Sequence, residues 1–189
     1  MTKKKIAVFI SGKGSNLQSL IDAAAENDFP GSINLVISDN SKASGLNHAH
    51  NNSIKCKTIE YQKCINKEDF EQKILNKTMK ENIDIICLAG FMRILSGKFI
   101  TSFNGPIINI HPSLLPKYKG LNTHQRAIES GDKVAGCTVH YVTKNVDDGE
   151  IILQKSVPIL PNDTVEDLAA RVLKVEHEAY AESIKKILN

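Results

Sequence analysis

Short apolar runs alternate along this chain with stretches in which apolar residues recur every three or four positions. The first run, Ile6-Ala7-Val8-Phe9-Ile10, ends at Ser11-Gly12 and has the pattern of a buried strand. Leu17, Leu20, Ile21 and Ala24 then share one face of a helix predicted over residues 16–27. A second strand is predicted at 33–37, closed by Ser38-Asp39-Asn40, followed by a helix at 43–51 and a weaker strand at 54–59. The helix over 67–80 puts Phe70, Ile74, Leu75 and Met79 on its apolar face. A strand at 83–89, a short helix at 97–103 and a strand at 106–110 complete this part.

Beyond about residue 130 the pattern changes. Two longer apolar runs, 136–142 and 151–159, flank the turn Val146-Asp147-Asp148-Gly149, which predicts antiparallel strands. A closing helix over 164–188 carries Leu168, Val172, Val175, Ala179 and Ile184 as core positions, with Thr164 and Asp167 spaced as a capping pair. Repeated strand–helix order predicts an α/β fold: a mostly parallel central sheet, helices on both faces, and an antiparallel C-terminal part. No repeat or low-complexity linker interrupts it, so a single domain over 1–189 is expected.

Composition narrows the function classes. At 41% hydrophobic residues, the 189-residue chain can fill a core without disulfides or metal. The net charge of +3 owes something to Lys3, Lys4 and Lys5, and no basic stripe with interleaved aromatics argues for nucleic acid. No apolar run approaches the roughly 18 residues of a membrane span, and the N-terminal run is too short for a signal peptide. Cys56, Cys64, Cys87 and Cys137 form no C-x-x-C pair, so a reducing, cytoplasmic setting is expected.

Three segments carry candidate chemistry. Ser11-Gly12-Lys13-Gly14-Ser15-Asn16 joins the first strand to the first helix, where ligands of parallel sheets bind and where a helix N-terminus suits an anion. Leu17 stands where a dinucleotide fingerprint needs its third glycine, and no Walker sequence is present, so the alternatives are an anion site or a plain glycine turn. Asn109 and His111, two apart at a strand end, point the same way. Together they offer an acid/base group and an amide for an oxyanion, or else a satisfied buried pair. Pro112 ends the ladder, and no serine or cysteine nucleophile stands beside them, which favours direct attack by an amine or water. Asp147-Asp148-Gly149 is either an ordinary turn or the source of a carboxylate that orients a histidine. His124 and His140 stay unassigned, His140 reading as structural among apolar neighbours, and with His111 they match no zinc spacing.

These segments together resemble the phosphoribosylglycinamide formyltransferase family of folate-dependent enzymes. The resemblance starts at Ile10-Ser11-Gly12-Lys13-Gly14-Ser15-Asn16-Leu17-Gln18 and runs through Leu88-Ala89-Gly90-Phe91-Met92-Arg93-Ile94-Leu95. It continues with Asn109-Ile110-His111-Pro112-Ser113-Leu114-Leu115-Pro116-Lys117-Tyr118, then 136–142, Asp147-Asp148-Gly149 and Glu176-His177. It implies a Rossmann-like formyltransferase fold and transfer of formyl from 10-formyltetrahydrofolate to the amine of glycinamide ribonucleotide, without a metal. It also implies a role for Asn109, His111 and Asp147 in catalysis, for Gly14, Ser15 and Asn16 on the substrate phosphate, and for Glu176 on the substrate. Lys67, Phe91, Met92, Arg93, Ile94, Leu95, Asn109, Val142 and Asp147 would hold the folate. Small molecules are the implied partners, with the chain a monomer or homodimer.

The chain departs from the family in places. Leu173 stands where glutamine is frequent, Lys67 where arginine is frequent, and Asp148 where the family often has glycine. Asp147 is the expected catalytic carboxylate and Asp148 the alternative. Transfer to methionyl-tRNA would need a further RNA-binding domain, for which no chain remains. A formyl-folate hydrolase or a non-catalytic nucleotide-binding module are the other readings.

Overall fold

The computed structural model describes residues 3–188; Met1, Thr2 and Asn189, which belong to the expected domain span, lie outside the described residues. Seven strands form one sheet in the order β3-β2-β1-β4-β5-β6-β7. The strands are β1 (Lys4–Ile10), β2 (Gly31–Ser38), β3 (Lys55–Thr58), β4 (Ile85–Leu88), β5 (Ile107–His111), β6 (Val134–Tyr141) and β7 (Ile151–Pro158). β1 to β5 pair in parallel, while β6 runs antiparallel to β5, and β7 to β6. The chain steps outward from β1 to β3, then returns to place β4 on the other side of β1. That reversal opens a crevice at the carboxyl ends of β1 and β4.

The period-two burial expected of strands separates two cores. Ile6, Val8 and Ile10 of β1 pack into one, beneath α1 (Ser15–Ala24), α2 (Leu46–Asn51), α5 (Thr123–Glu129) and α6 (Val165–Leu188). Ala7 and Phe9 pack into the other, beneath α3 (Lys67–Lys80) and α4 (Gly97–Ser102). Both faces of the parallel part are covered, which is why its strands read as continuous apolar runs rather than alternating ones.

The capping pair at the start of α6 is reciprocal: the Asp167 amide donates to Thr164 Oγ1 at 3.1 Å, and the Thr164 amide to Asp167 Oδ2 at 3.0 Å. From the middle of α6, Tyr180 is fully buried, and its hydroxyl donates to the carbonyl oxygen of Leu88 at 2.8 Å. This ties the longest helix to the end of β4, beside the crevice.

Several details differ from the sequence reading, among them the start of α2, at Leu46 rather than residue 43. α1 stops at Ala24 rather than near residue 27. Met79 is 67% exposed, because the turn formed by Phe70, Ile74 and Leu75 already fills the core under α3. α5 was not anticipated, since only Thr123 and Ala127 are buried there and no apolar stripe announces it. The two exposures lead to a contrast in stability. Leu20→Ala, at a fully buried position of α1, is expected to lower the unfolding free energy by about 2–5 kcal/mol in urea denaturation. Met79→Ala is expected to change it by less than about 0.5 kcal/mol.

Candidate active site

A cavity of about 720 Å³ lies over the carboxyl ends of β4 and β5, between the α1 end and the loop that joins β6 to β7. Asn109 lies directly opposite His140 in the β5–β6 ladder, and the Asn109 amide nitrogen is 3.2 Å from His140 Nε2. The sequence reading treated His140 as structural; its cross-strand register with Asn109 is the signal that would have placed it here, and register is not visible in one strand alone. His140 Nδ1 lies 2.9 Å from the Tyr141 carbonyl oxygen and so carries a hydrogen, with Nε2 on the side of Asn109 and Asp147.

Asp147 reaches both histidines. Its Oδ2 is 3.3 Å from His111 Nδ1, and its Oδ1 is 3.6 Å from His140 Nε2. The backbone of Asp147 is left-handed at φ 49°, a conformation that aspartate tolerates better than most residues. Two positions on, a Cβ on Gly149 would sit 1.7 Å from the Tyr141 carbonyl oxygen, so only glycine lets the turn close against β6. Asp148 instead points outward and pairs with Lys119. Of the two adjacent carboxylates, Asp147 is therefore the one inside.

Burial pushes the Asp147 carboxyl up, but the hydrogen bonds from His140 and the Gly120 amide, with the charges of His111 and His140, outweigh it and hold the group below its ordinary 3.8. His111 Nε2 lies 2.9 Å from the carbonyl oxygen of Tyr118. Both ring nitrogens of His111 thus face acceptors, and its hydrogen bonding is complete only when both carry hydrogens. On β5, the Asn109 amide is a hydrogen-bond donor that lines the cavity beside His111. His124, also on the cavity wall, is held below its ordinary value by burial and then by the charge of His111.

Ser113 lies beyond Pro112, as expected, but is buried, and its hydroxyl donates to the Lys117 carbonyl oxygen at 2.6 Å. It shapes the turn that brings Tyr118 back to His111.

The far end of the cavity is lined by Asn16 and Glu176. Gly14, the N-cap of α1, is left-handed at φ 72°, and a Cβ there would stand 2.8 Å from Gly45 Cα, so glycine is required on both counts. Among the described residues, no side chain caps α1 and no acidic residue stands in its first turn, so its N-terminal amides retain the partial positive charge that suits an anion. The Asn16 side-chain amide uses one of its two hydrogens on Glu176 Oε2, at 2.8 Å, and keeps the other. Burial raises the Glu176 carboxyl above its ordinary value, against the opposing bond from Asn16. Gly14 and Ser15 do not line the cavity, whereas the adjacent Asn16 does.

The other end is apolar. Phe91 and Leu95 are buried, and Phe91 meets Phe9 edge-on with ring centres 5.4 Å apart. Met92 and Ile94 stand 67% and 63% exposed at the mouth, with Leu121 and Val146 across from them. Val142 lines the same end. Arg93 lines the mouth too, but its guanidinium turns aside to Asp39 at 2.7 Å and stacks over Tyr61. The structure does not bring Lys67 to the cavity: its ammonium lies 4.0 Å from Glu71, whose carboxylate in turn accepts from the Ser96 amide and hydroxyl at the start of α4. Leu173 does not line the cavity either. Among the described residues, no group of three or more His, Cys, Asp or Glu side chains is arranged to hold a metal ion.

A formyl transferase family model matches residues 4–184. The chain belongs to the formyl transferase family. It is 47% identical to the phosphoribosylglycinamide formyltransferase of Haemophilus influenzae over 96% of this chain and 86% of that protein. The trifunctional purine biosynthetic protein adenosine-3 of Homo sapiens is 45% identical over 98% of this chain, which spans only 18% of that protein's length. The crystal structure of the Brucella melitensis phosphoribosylglycinamide formyltransferase superposes with a TM-score of 0.96 at 48% identity, covering 99% of this chain and 96% of that one. The family member described here thus has the expected fold: a mostly parallel sheet, antiparallel at its C-terminal side, with helices on both faces.

The depressed Asp147 carboxyl has a consequence for stability. A folded-state value below the unfolded one means the unfolded chain binds more protons across that window, so the contribution of Asp147 is present above its unfolded value. It fades as pH falls below 3.8 through the folded value. Urea denaturation from neutral pH downward is expected to show the native protein more stable than Asp147→Asn near neutrality, with the gap closing in that acidic window.

Proposed function

We propose that this family member transfers the formyl group of 10-formyltetrahydrofolate to the amine of glycinamide ribonucleotide, in the cytoplasm, as a step of purine synthesis. The observation that carries this reading is the placement of Asn109 and the His111–Asp147 pair between two unlike ends of one cavity. The apolar end, with Met92, Ile94 and Val146 at its mouth, suits a flat, largely apolar carrier such as a pterin. The opposite end, with the uncapped N-terminus of α1 and the Glu176 carboxylate, suits a phosphate and the polar sugar it carries. A carrier and an acceptor seated at the two ends would meet over Asn109.

In this reading the acceptor amine, neutral at the moment of attack, forms a C–N bond to the formyl carbon. The formyl oxygen gains negative charge, which the Asn109 amide stabilises by donating a hydrogen bond. His111, fixed between Asp147 and the Tyr118 carbonyl oxygen, supplies positive charge beside that oxygen. The bond to the carrier nitrogen then breaks, and the proton lost by the amine ends on that nitrogen. Asp147 and His111 lie beside the route for this proton. Among the described residues, no serine or cysteine lines the cavity, which fits direct transfer rather than a covalent enzyme intermediate.

The deciding assay follows tetrahydrofolate release from 10-formyltetrahydrofolate with and without glycinamide ribonucleotide. Release that depends on the amine is the expected result; equal release without it would make the protein a hydrolase. His111→Ala, Asn109→Ala and Asp147→Asn are each expected to lower kcat by about 10²- to 10⁴-fold, and near-native turnover in His111→Ala would refute the assigned chemistry. Ser15→Pro, which would remove an amide at the first helical position of α1, is expected to weaken binding of the phosphorylated substrate in a calorimetric titration while leaving folate binding intact.

A further inference from the structure

The two groups paired in the site are each hydrogen-bonded to one short loop, His111 as donor and Asp147 as acceptor. His111 Nε2 meets the Tyr118 carbonyl oxygen at 2.9 Å, and Asp147 Oδ2 accepts from the Gly120 amide, also at 2.9 Å. This loop, between β5 and α5, is conformationally costly. Tyr118, Gly120 and Asn122 have φ of 56°, 79° and 57°, so every second residue is left-handed and only one of the three is glycine. Such a backbone persists only where the surroundings over-determine it.

The restraint comes from α5. Arg126 Nη1 donates to the carbonyl oxygens of Lys119 and Leu121, at 2.8 and 3.3 Å, which are the residues on either side of Gly120. The same guanidinium lies over the Tyr118 ring, 5.1 Å from its centre. From the other side Asp132 accepts from the Tyr118 hydroxyl at 2.9 Å. Arg126 is itself exposed and takes no part in lining the cavity, so it has no direct route to a substrate.

We propose that Arg126 is a positioning residue for the reaction: by clamping the carbonyl groups that flank Gly120 and the ring of Tyr118, it holds the two loop partners that orient His111 and Asp147. The proposal rests on the transferase reading for its kinetic consequence, and on geometry alone for its structural one. A planar fork that donates to carbonyls while stacking on a ring is a task for arginine; a lysine supplies charge but neither the plane nor the fork.

Three measurements on Arg126→Ala and Arg126→Lys decide it. The first is steady-state kinetics. A misplaced catalytic pair is expected to lower kcat by about tenfold or more in Arg126→Ala, with KM for glycinamide ribonucleotide little changed and Arg126→Lys only partly restored. The second is the nitrogen NMR signature of the His111 ring, expected to shift in both variants. The third is hydrogen exchange at the Gly120 amide, expected to speed up by about tenfold as the loop opens locally. Native-like His111 signals and Gly120 exchange in Arg126→Ala would overturn the proposal, as would a lowered melting temperature with kcat unchanged. Should the unaltered protein show no formyl transfer at all, the transferase reading fails, while the ring spectra and the exchange rates still decide whether Arg126 holds the loop.

Discussion

The antiparallel pairing of β6 against β5 is the constraint on which the site depends. Because Asn109 and His140 are directly opposed, the two side chains rise on the same side of the sheet and meet at the cavity floor. The same ladder fixes where β6 ends and hence where the turn to β7 begins. Gly149 is then pressed so closely on Tyr141 that no side chain would fit, and this leaves Asp147 with its carboxylate between His111 and His140. A one-residue slip would turn His140 to the opposite face and carry the turn with it. Parallel strands alone would place loops over the crevice, but the antiparallel return brings a carboxylate back to the strand that bears the histidine.

The cost of assembling this group is carried by its surroundings. Taking a carboxylate out of water is unfavourable, and for Asp147 the Gly120 amide and two histidines offset it. The left-handed residues cluster where the chain bends toward the cavity, at Tyr118, Gly120, Asn122 and Asp147. Strain there is tolerable because β5, β6 and α5 are held by the large core beneath α6. Glu176 illustrates the same exchange at the other end, where burial is partly offset by a single bond from Asn16.

Much of the fold was legible in the chain. Continuous apolar runs announced β1, β2, β4 and β5, and the loss of strand–helix alternation after residue 130 announced the antiparallel part. α5 escaped because a seven-residue helix with two buried positions leaves no stripe, and Met79 was misplaced because periodicity does not say how wide an apolar face the core requires. Within the site, Asn109 and His111 were legible because strand residues two apart must share a face. The choice of Asp147 over Asp148 came by resemblance and spacing, and the geometry that separates them is a contact with Gly149 and β6 that neighbouring residues in sequence cannot reveal.

What the sequence alone determined are the features set by local physics: alternation of strand and helix, the glycines that let the first loop bend, the same-face pair on β5, and enough apolar content for a core. What only the tertiary structure decided are the features set by contacts between distant segments. His140 joined the site through its register with β5. Asn16 was paired with Glu176, 160 residues away. Lys67 was left outside the cavity lining, and Arg126 was set against the backbone of the loop after β5. Each of these depends on which carbonyl, ring or carboxylate folding brings within about 3 Å of a side chain, and a linear pattern of residue types does not contain that distance.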